Sequence, residues 1–270
     1  MTGLLRKIYL EVRVSVVLFG VGLAAIMFLL TSLLPKVLGD VENVFEKLPF
    51  IKPILTALIG IDVDNGFTSQ MMQGFLWVHP TVLAILWAHE LMYCSRMPAA
   101  EIDRGTVDFL LGLPTSRRKL YISETIGWMT SGAIIICTGL VGHLMASSSL
   151  QPQMRPGGYA VFCVAGNLFA VYLAVGGIAF LVSASSDRRG RTIGILFAVL
   201  LASFLLNFLA QFWEPAKAIS FLSIMEYYRP ALTIQANAFA WQDVGILLTI
   251  AAVTWCVGGI VFQRRSICTV

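Results

Sequence analysis

The chain has 270 residues, of which 57% are hydrophobic and only 13% charged, with a formal net charge of +4. Soluble domains are roughly a quarter charged, so this composition excludes an ordinary water-soluble globule. Five cysteines without a C-x-x-C pair give no disulfide framework and read as small buried hydrophobes more readily than as metal ligands.

Six runs are apolar over the ~20 residues that cross a bilayer as helix: 14–34, 75–94, 126–146, 159–182, 193–213 and 244–262. None alternates at period two, which argues against a β-barrel. The sequence therefore predicts an all-α integral membrane protein with six spans. The first run follows Arg6, Lys7 and Arg13, is longer than a usual signal-peptide h-region and has no convincing small-x-small cleavage site, so it reads as a retained anchor. An even span number puts both termini on one side. That side carries thirteen Lys and Arg, against six on the other, which predicts cytoplasmic termini and a cell-membrane location. The basic balance is thus a topology signal, and no nucleic-acid partner is expected.

The segment 35–74 is expected to be external, with turns at Lys47-Leu48-Pro49 and Asp62-Val63-Asp64-Asn65-Gly66 and a short surface helix over 51–61. In the second span His89 and Glu90 are intramembrane ionisable residues. They read either as a local hydrogen-bonded pair or as a gate. "HELMY" has Tyr93 where a zinc protease needs its second His, so no metal is expected.

Between the second and third spans the chain turns polar over 95–120, with "EIDRGTVDFLLGLPTSRRK" at its centre. Val107, Leu110 and Leu111 fall at i, i+3, i+4 and make one face of a short helix over 101–113. Asp103, Arg104 and Asp108 lie around its rim. Gly105 permits a bend or close approach, Pro114 ends the helix, and Thr115 or Ser116 caps the next. Two readings stand: a connector lying on the headgroups, or a greasy knob with a charged rim that fits a partner's cleft.

The loop 147–158 is rich in Ser, Pro and Gly. His143 is expected at an interface. Asn167, Asn207 and Gln211 read as helix–helix glue or, for the two asparagines, as groups along a pathway. Ser131 and Ser203 lack partners for nucleophilic chemistry. Gly20 with Ala24, Ala170 with Ala174, Gly190 with Gly194 and Ala198 with Ala202 have the four-residue spacing that permits close helix packing. The segment 214–243 is too apolar for a free loop, and Glu226 and Pro230 interrupt it, so a re-entrant or interfacial pair of short helices is expected.

Glu101, Arg104, Gly105, Thr106, Leu110, Leu111, Pro114, Ser116 and Arg117 together resemble the signature of type-2, export-class ABC transporter permeases. Tyr227, Tyr228 and Pro230 resemble a Tyr-Tyr-x-Pro found before that family's last span. The resemblance leans toward stand-alone bacterial permeases similar to those of copper-site maturation, gliding and peptide-antibiotic export. The resemblance implies that 1–270 is a single permease domain and that 101–113 is a coupling helix docking on a separate cytoplasmic ATPase dimer. It also implies that a second permease copy completes the pathway. ATP and Mg would be bound by that ATPase, since this chain has no G-x-x-x-x-G-K-[ST] loop and is expected to hold no cofactor and no catalytic residue. From the residues alone, a self-sufficient channel or secondary transporter is the competing reading, disfavoured because no span carries a charge relay.

Overall fold

The computed structural model describes residues 2–47, 69–107, 112 and 115–266. Every described element is helical, and six helical stretches are long and apolar enough to cross a membrane. The first is α1, Thr2–Lys47. The helix continues through Pro35, beyond the apolar run expected over 14–34. A proline removes one backbone donor, and here the helix continues because Leu34 is buried against Met72, Leu76 and Leu150. The expected turns at 47–49 and 62–66 and the helix over 51–61 lie outside the described residues, apart from Lys47, which closes α1.

The second crossing is built from two helices, α2 (Ser69–Val78) and α3 (Pro80–Cys94), and not from one. Pro80 supplies the break. It has no N–H to offer the preceding turn and bars helical geometry at the residue before it. His79 takes the N-cap position with its ring nitrogen facing Thr81. After α3 come one wide turn, Arg96–Ala100, and the short α4, Glu101–Asp103. The third and fourth crossings are α5 (Arg117–Ser147) and α6 (Gly158–Ser185), and the fifth is α7 (Arg189–Leu209). Two short helices, α8 (Glu214–Ala218) and α9 (Pro230–Ala236), with 3-10 turns between them, precede the sixth crossing, α10 (Trp241–Arg264).

Parallel pairs of spans make the closest contacts, and small residues allow them. A Cβ on Gly142 of α5 would sit 2.2 Å from the Ala24 carbonyl oxygen of α1, and one on Gly139 would meet Leu23 at 2.8 Å. Thr138 adds a hydrogen bond to the Gly20 carbonyl at 3.1 Å. On the other side α6 meets α10 at Gly177 and Gly258. The expected close packing at Gly20 and Ala24 is therefore real, and Ala170 and Ala174 are buried in α6. Gly190 and Gly194 face open space, and Ala198 and Ala202 are exposed, so those pairs pack nothing within the chain.

Aromatic rings fill the centre. Trp128 stacks on Tyr172 at 5.4 Å and meets Phe180 edge-on, while Tyr121 packs against Phe180, Trp255 and Phe262. Gly132 and Gly176 make room for Tyr172 and Trp128: any Cβ there would overlap the rings at 2.2 and 1.8 Å. His143, expected at an interface, is instead fully buried. Its ring shares a hydrogen bond with Thr31 of α1 at 2.9 Å and packs edge-on to Trp77. Burial of a polar ring is tolerated because it finds a partner on a neighbouring helix.

The segment before α10 folds back onto the spans. Ile224, Met225, Tyr228, Ala231 and Ile234 are buried. Ser203 of α7 accepts from the Ile224 N–H at 2.9 Å and pairs with the Ser223 hydroxyl, and Ser223 donates to the Ser203 carbonyl. Gly74 of α2 lies so close to Ala231 that a Cβ would come within 2.5 Å of its backbone. The 147–158 loop is likewise pinned, by Arg155 donating to the Leu150 and Ser148 carbonyls and by Gln73 donating to Met154.

Gly142→Leu is expected to lower stability by about 1–3 kcal/mol through overpacking, while Gly190→Leu, facing open space, is expected to be neutral. Thermal unfolding of the two variants in detergent, side by side, reads the difference.

Candidate functional site

The polar segment after α3 is fixed by an ion cluster at its first residue. Arg96 donates from Nη1 to Glu11 of α1 at 2.9 Å and from Nη2 to Glu124 of α5 at 2.7 Å. Its guanidinium also lies over the Tyr93 ring, whose hydroxyl donates to the Glu124 carbonyl. Lys7 stands 3.5 Å from Glu11 on the far side. Burial works against the Arg96 charge, but Glu124, with Tyr93 and Glu11, outweighs it and raises the guanidinium above its ordinary value.

The next turns are tied to α6 and α7. The Ser183 hydroxyl donates to the Met97 carbonyl at 3.1 Å and accepts from the Ala99 N–H. Ala99 and Ala100 are fully buried. The main chain then closes α4 with a Schellman motif: Thr106 N–H reaches the Glu101 carbonyl at 3.0 Å, and Gly105 N–H reaches Ile102 at 3.0 Å. Gly105 takes φ +68°, which glycine adopts without the Cβ penalty, and it has open space around it. The motif's glycine is there for its backbone angle and not for a close approach. Glu101 adds a clasp by accepting the Thr106 hydroxyl on its carboxylate.

The single helix expected over 101–113 is therefore interrupted after Asp103, because the left-handed residue ends it. Val107, expected as part of an exposed apolar anchor, is 1% exposed and packs inside the chain. Asp103 accepts from the Arg189 N–H at 3.3 Å, at the first turn of α7, where a carboxylate complements the helix dipole. Arg189 in turn donates to Ser95. Arg104 is exposed. Asp108, Leu110, Leu111 and Pro114 lie outside the described residues.

Ser116 caps α5 by accepting from Lys119 N–H. Arg117, expected at a partner interface, turns inward and donates to the Phe262 and Arg265 carbonyls, the latter at 2.6 Å. A cation at the start of α5 is thereby placed on the carbonyl end of α10, where the dipole favours it. Arg265 continues the chain of contacts to the Ala184 and Ser186 carbonyls and the Asp187 carboxylate.

The four residues expected along a pathway do not converge. His89 and Glu90 are both fully buried but do not bond each other. The His89 ring meets the Tyr172 hydroxyl at 3.1 Å, and the Glu90 carboxylate lies beside Trp128 and the Gly176 backbone. Consecutive helical residues point about 100° apart, which separates the two. Asn167 donates to the Tyr227 carbonyl at 3.4 Å. Asn207 lines a cleft of ≈ 250 Å³ together with Glu226, Arg229 and Tyr228. Of the aromatic motif, Tyr228 donates to the Trp77 carbonyl from a buried position, and burial pushes its phenol well above the ordinary range. Tyr227 bonds Phe221, and Pro230 opens α9.

Sequence reasoning missed the Glu11–Arg96–Glu124 cluster, although its signal was present. Each carboxylate interrupts the start of an apolar helix, and an isolated charge there needs a partner. Arg96→Gln is expected to cost about 3–5 kcal/mol by leaving Glu124 unpaired in a mostly buried site, and Arg96→Gln with Glu124→Gln to recover much of it. A double-mutant cycle on detergent melting temperature measures the coupling.

No curated protein matches the chain. A family profile described as ABC-2 family transporter protein matches residues 82–267, from inside α3 through the end of α10. With that match over more than half its length, six apolar crossings and a structured polar segment between the second and third, the chain belongs to the ABC-2 family of transporter proteins.

Proposed function

We propose that this chain is the permease half of an ATP-driven exporter. Its thirteen-to-six Lys and Arg balance puts both termini, and with them the 95–120 segment, in the cytoplasm of a cell-membrane protein. A separate ATPase dimer binds ATP and Mg and docks on that segment, and a second permease copy completes the transport path. The family match is the observation that carries this reading, because an ABC-2 membrane chain is the transmembrane component and draws its energy from elsewhere.

The geometry says how docking could move the spans. Asp103 and Arg104 are exposed at the end of α4, and Leu110 and Leu111, a few residues further along the sequence, are the apolar groups we assign to the ATPase contact. Displacing this segment pulls in three directions at once. Arg96 draws on α1 and α5, Ser183 draws on α6, and Asp103 draws on α7. Docking energy spent at one small surface is thus distributed over four spans. This chain performs no chemistry in such a cycle. Its work is to change which side of the membrane the path faces.

Co-expression with candidate ABC ATPases from the same genome tests the reading. Leu110→Asp is expected to abolish co-purification of the ATPase and Arg104→Glu to weaken it roughly tenfold, the scale of one charge-assisted contact. Both variants should still insert in the membrane. Undiminished co-purification of both, or cargo movement by the purified chain without any ATPase, would count against the assignment.

A further inference from the structure

Among the described residues, Glu90 and Glu124 are the buried carboxylates, and they are held in opposite ways. Glu124 has the Arg96 guanidinium at 2.7 Å. Glu90, 1% exposed within α3, has no cation against it among the described residues. Its oxygens lie beside the Trp128 indole and the Gly176 backbone, and neither makes a hydrogen bond of ordinary geometry there. The Trp128 Nε1 is likewise unbonded.

The elements packed around Glu90 supply no countercharge. From α6 comes Tyr172, whose hydroxyl meets the His89 ring at 3.1 Å and the Trp128 carbonyl at 3.3 Å. From α5 come Trp128 and Ser131, and Ser131 donates to the Trp128 carbonyl. On α3 itself, Cys94 is a buried thiol one turn further on, and Tyr93 donates to the Glu124 carbonyl. The His89 ring packs against Tyr172, Tyr93 and, from α1, Phe19, with no carboxylate bonded to it. Beyond the end of α3, Arg96 is spent on Glu124 and Glu11. Packing leaves no slack on the α6 side, where even a Cβ on Gly176 would overlap the Trp128 indole at 1.8 Å. An ionised carboxylate without water or a cation is so costly that such a group takes up a proton instead. A neutral carboxylic acid in the same place needs only a hydrogen bond.

We propose that Glu90 is a proton-binding site and that its proton keeps the α3–α5–α6 core packed. Ionising Glu90 requires water at the carboxylate, and water reaches it when Trp128 and Gly176 separate. One proton thus leaves to solvent on opening and returns from it on closing. The packed core binds that proton more tightly than the opened one, so alkaline conditions favour opening and acid favours packing. The site is defined on this chain alone and does not depend on the ATPase-coupling reading.

Infrared spectroscopy of the purified full chain at neutral pH tests it. The C=O stretch of a protonated carboxylic acid should be present in the unaltered chain and lost in Glu90→Gln. Trp128→Phe should keep the band and move it to higher frequency, since the indole N–H no longer lies beside the acid. Glu124→Gln should leave it in place. Raising the pH from neutral to alkaline should lower the melting temperature of the unaltered chain more than that of Glu90→Gln. Absence of the band from the unaltered chain would overturn the proposal, as would its persistence in Glu90→Gln or its loss in Glu124→Gln. An unmoved band in Trp128→Phe would overturn the assignment to this site, and equal pH dependence of melting in the two chains would overturn the link to packing.

Discussion

One guanidinium between two carboxylates holds the polar end of this bundle together. Arg96 sits two residues beyond the second crossing and bonds one carboxylate from the first and one from the third. Its planar fork can serve both at once, which an ammonium cannot do with fixed geometry. The cluster is only partly shielded, with Arg96 side-chain exposure of 20% and Glu124 of 9%. Desolvation is therefore incomplete while the attraction is stronger than in bulk water. Once this cluster forms, the wide turn over Arg96–Ala100 has a fixed origin, and Ser183 can receive Met97 and Ala99. The α4 turn, its Schellman close and the Asp103 contact to α7 all follow from that placement.

The fifth crossing differs from the others in how it is held. Thr192, Leu196, Leu200 and Ser203 are its only buried residues, a single thin stripe, whereas α6 is buried around most of its circumference. Yet α7 is bonded at both ends: Asp103 accepts its first N–H, and Ser203 holds the Ser223–Ile224 turn near its last. A helix with weak lateral packing and directional contacts at its ends can tilt as a rod, because little packed surface must be broken to move it. Its far end forms one wall of the cleft with Asn207 and Phe208. The polar segment after α3 and that cleft are thus connected through one stiff element.

Most of the architecture was legible from hydropathy, since a span must be apolar over its whole length and backbone groups in lipid leave helix as the one open choice. The departures sit where a local breaker competes with packing. Pro35 looked like a helix end and is not: α1 runs on to Lys47, and Leu34 just before the proline is buried against Met72, Leu76 and Leu150. Pro80 lay inside an unbroken apolar run and does divide a span, since there it opens a helix at its first position, where the missing N–H costs nothing. The Glu101–Thr106 motif was legible as a motif but not as a turn: its helical spacing hid the fact that Gly105 must take a positive φ. The pairings of Arg117 and His143 were not legible for one shared reason. Their partners, the α10 carbonyls and Thr31, are more than a hundred residues away in the chain. No periodicity carries such pairings.

The filled centre of the chain bears on where a path could run. Trp128, Tyr172 and Phe180 occupy the space between α5 and α6, and glycines at 132 and 176 are needed merely to admit the rings. Three buried polar groups there join helices to other elements: His89 to Tyr172, His143 to Thr31, Asn167 to Tyr227. A polar route through this region would require those contacts and the stacked rings to separate together, at the cost of several hydrogen bonds in a low-dielectric interior. The surface of α7 carries no such cost, with Gly190, Gly194, Ala198 and Ala202 along it and nothing packed on them from this chain. A path assembled between two copies leaves each core intact and uses surface that a single chain leaves uncovered. That asymmetry, a closed interior beside an exposed fifth crossing, is what supports the two-copy path proposed above.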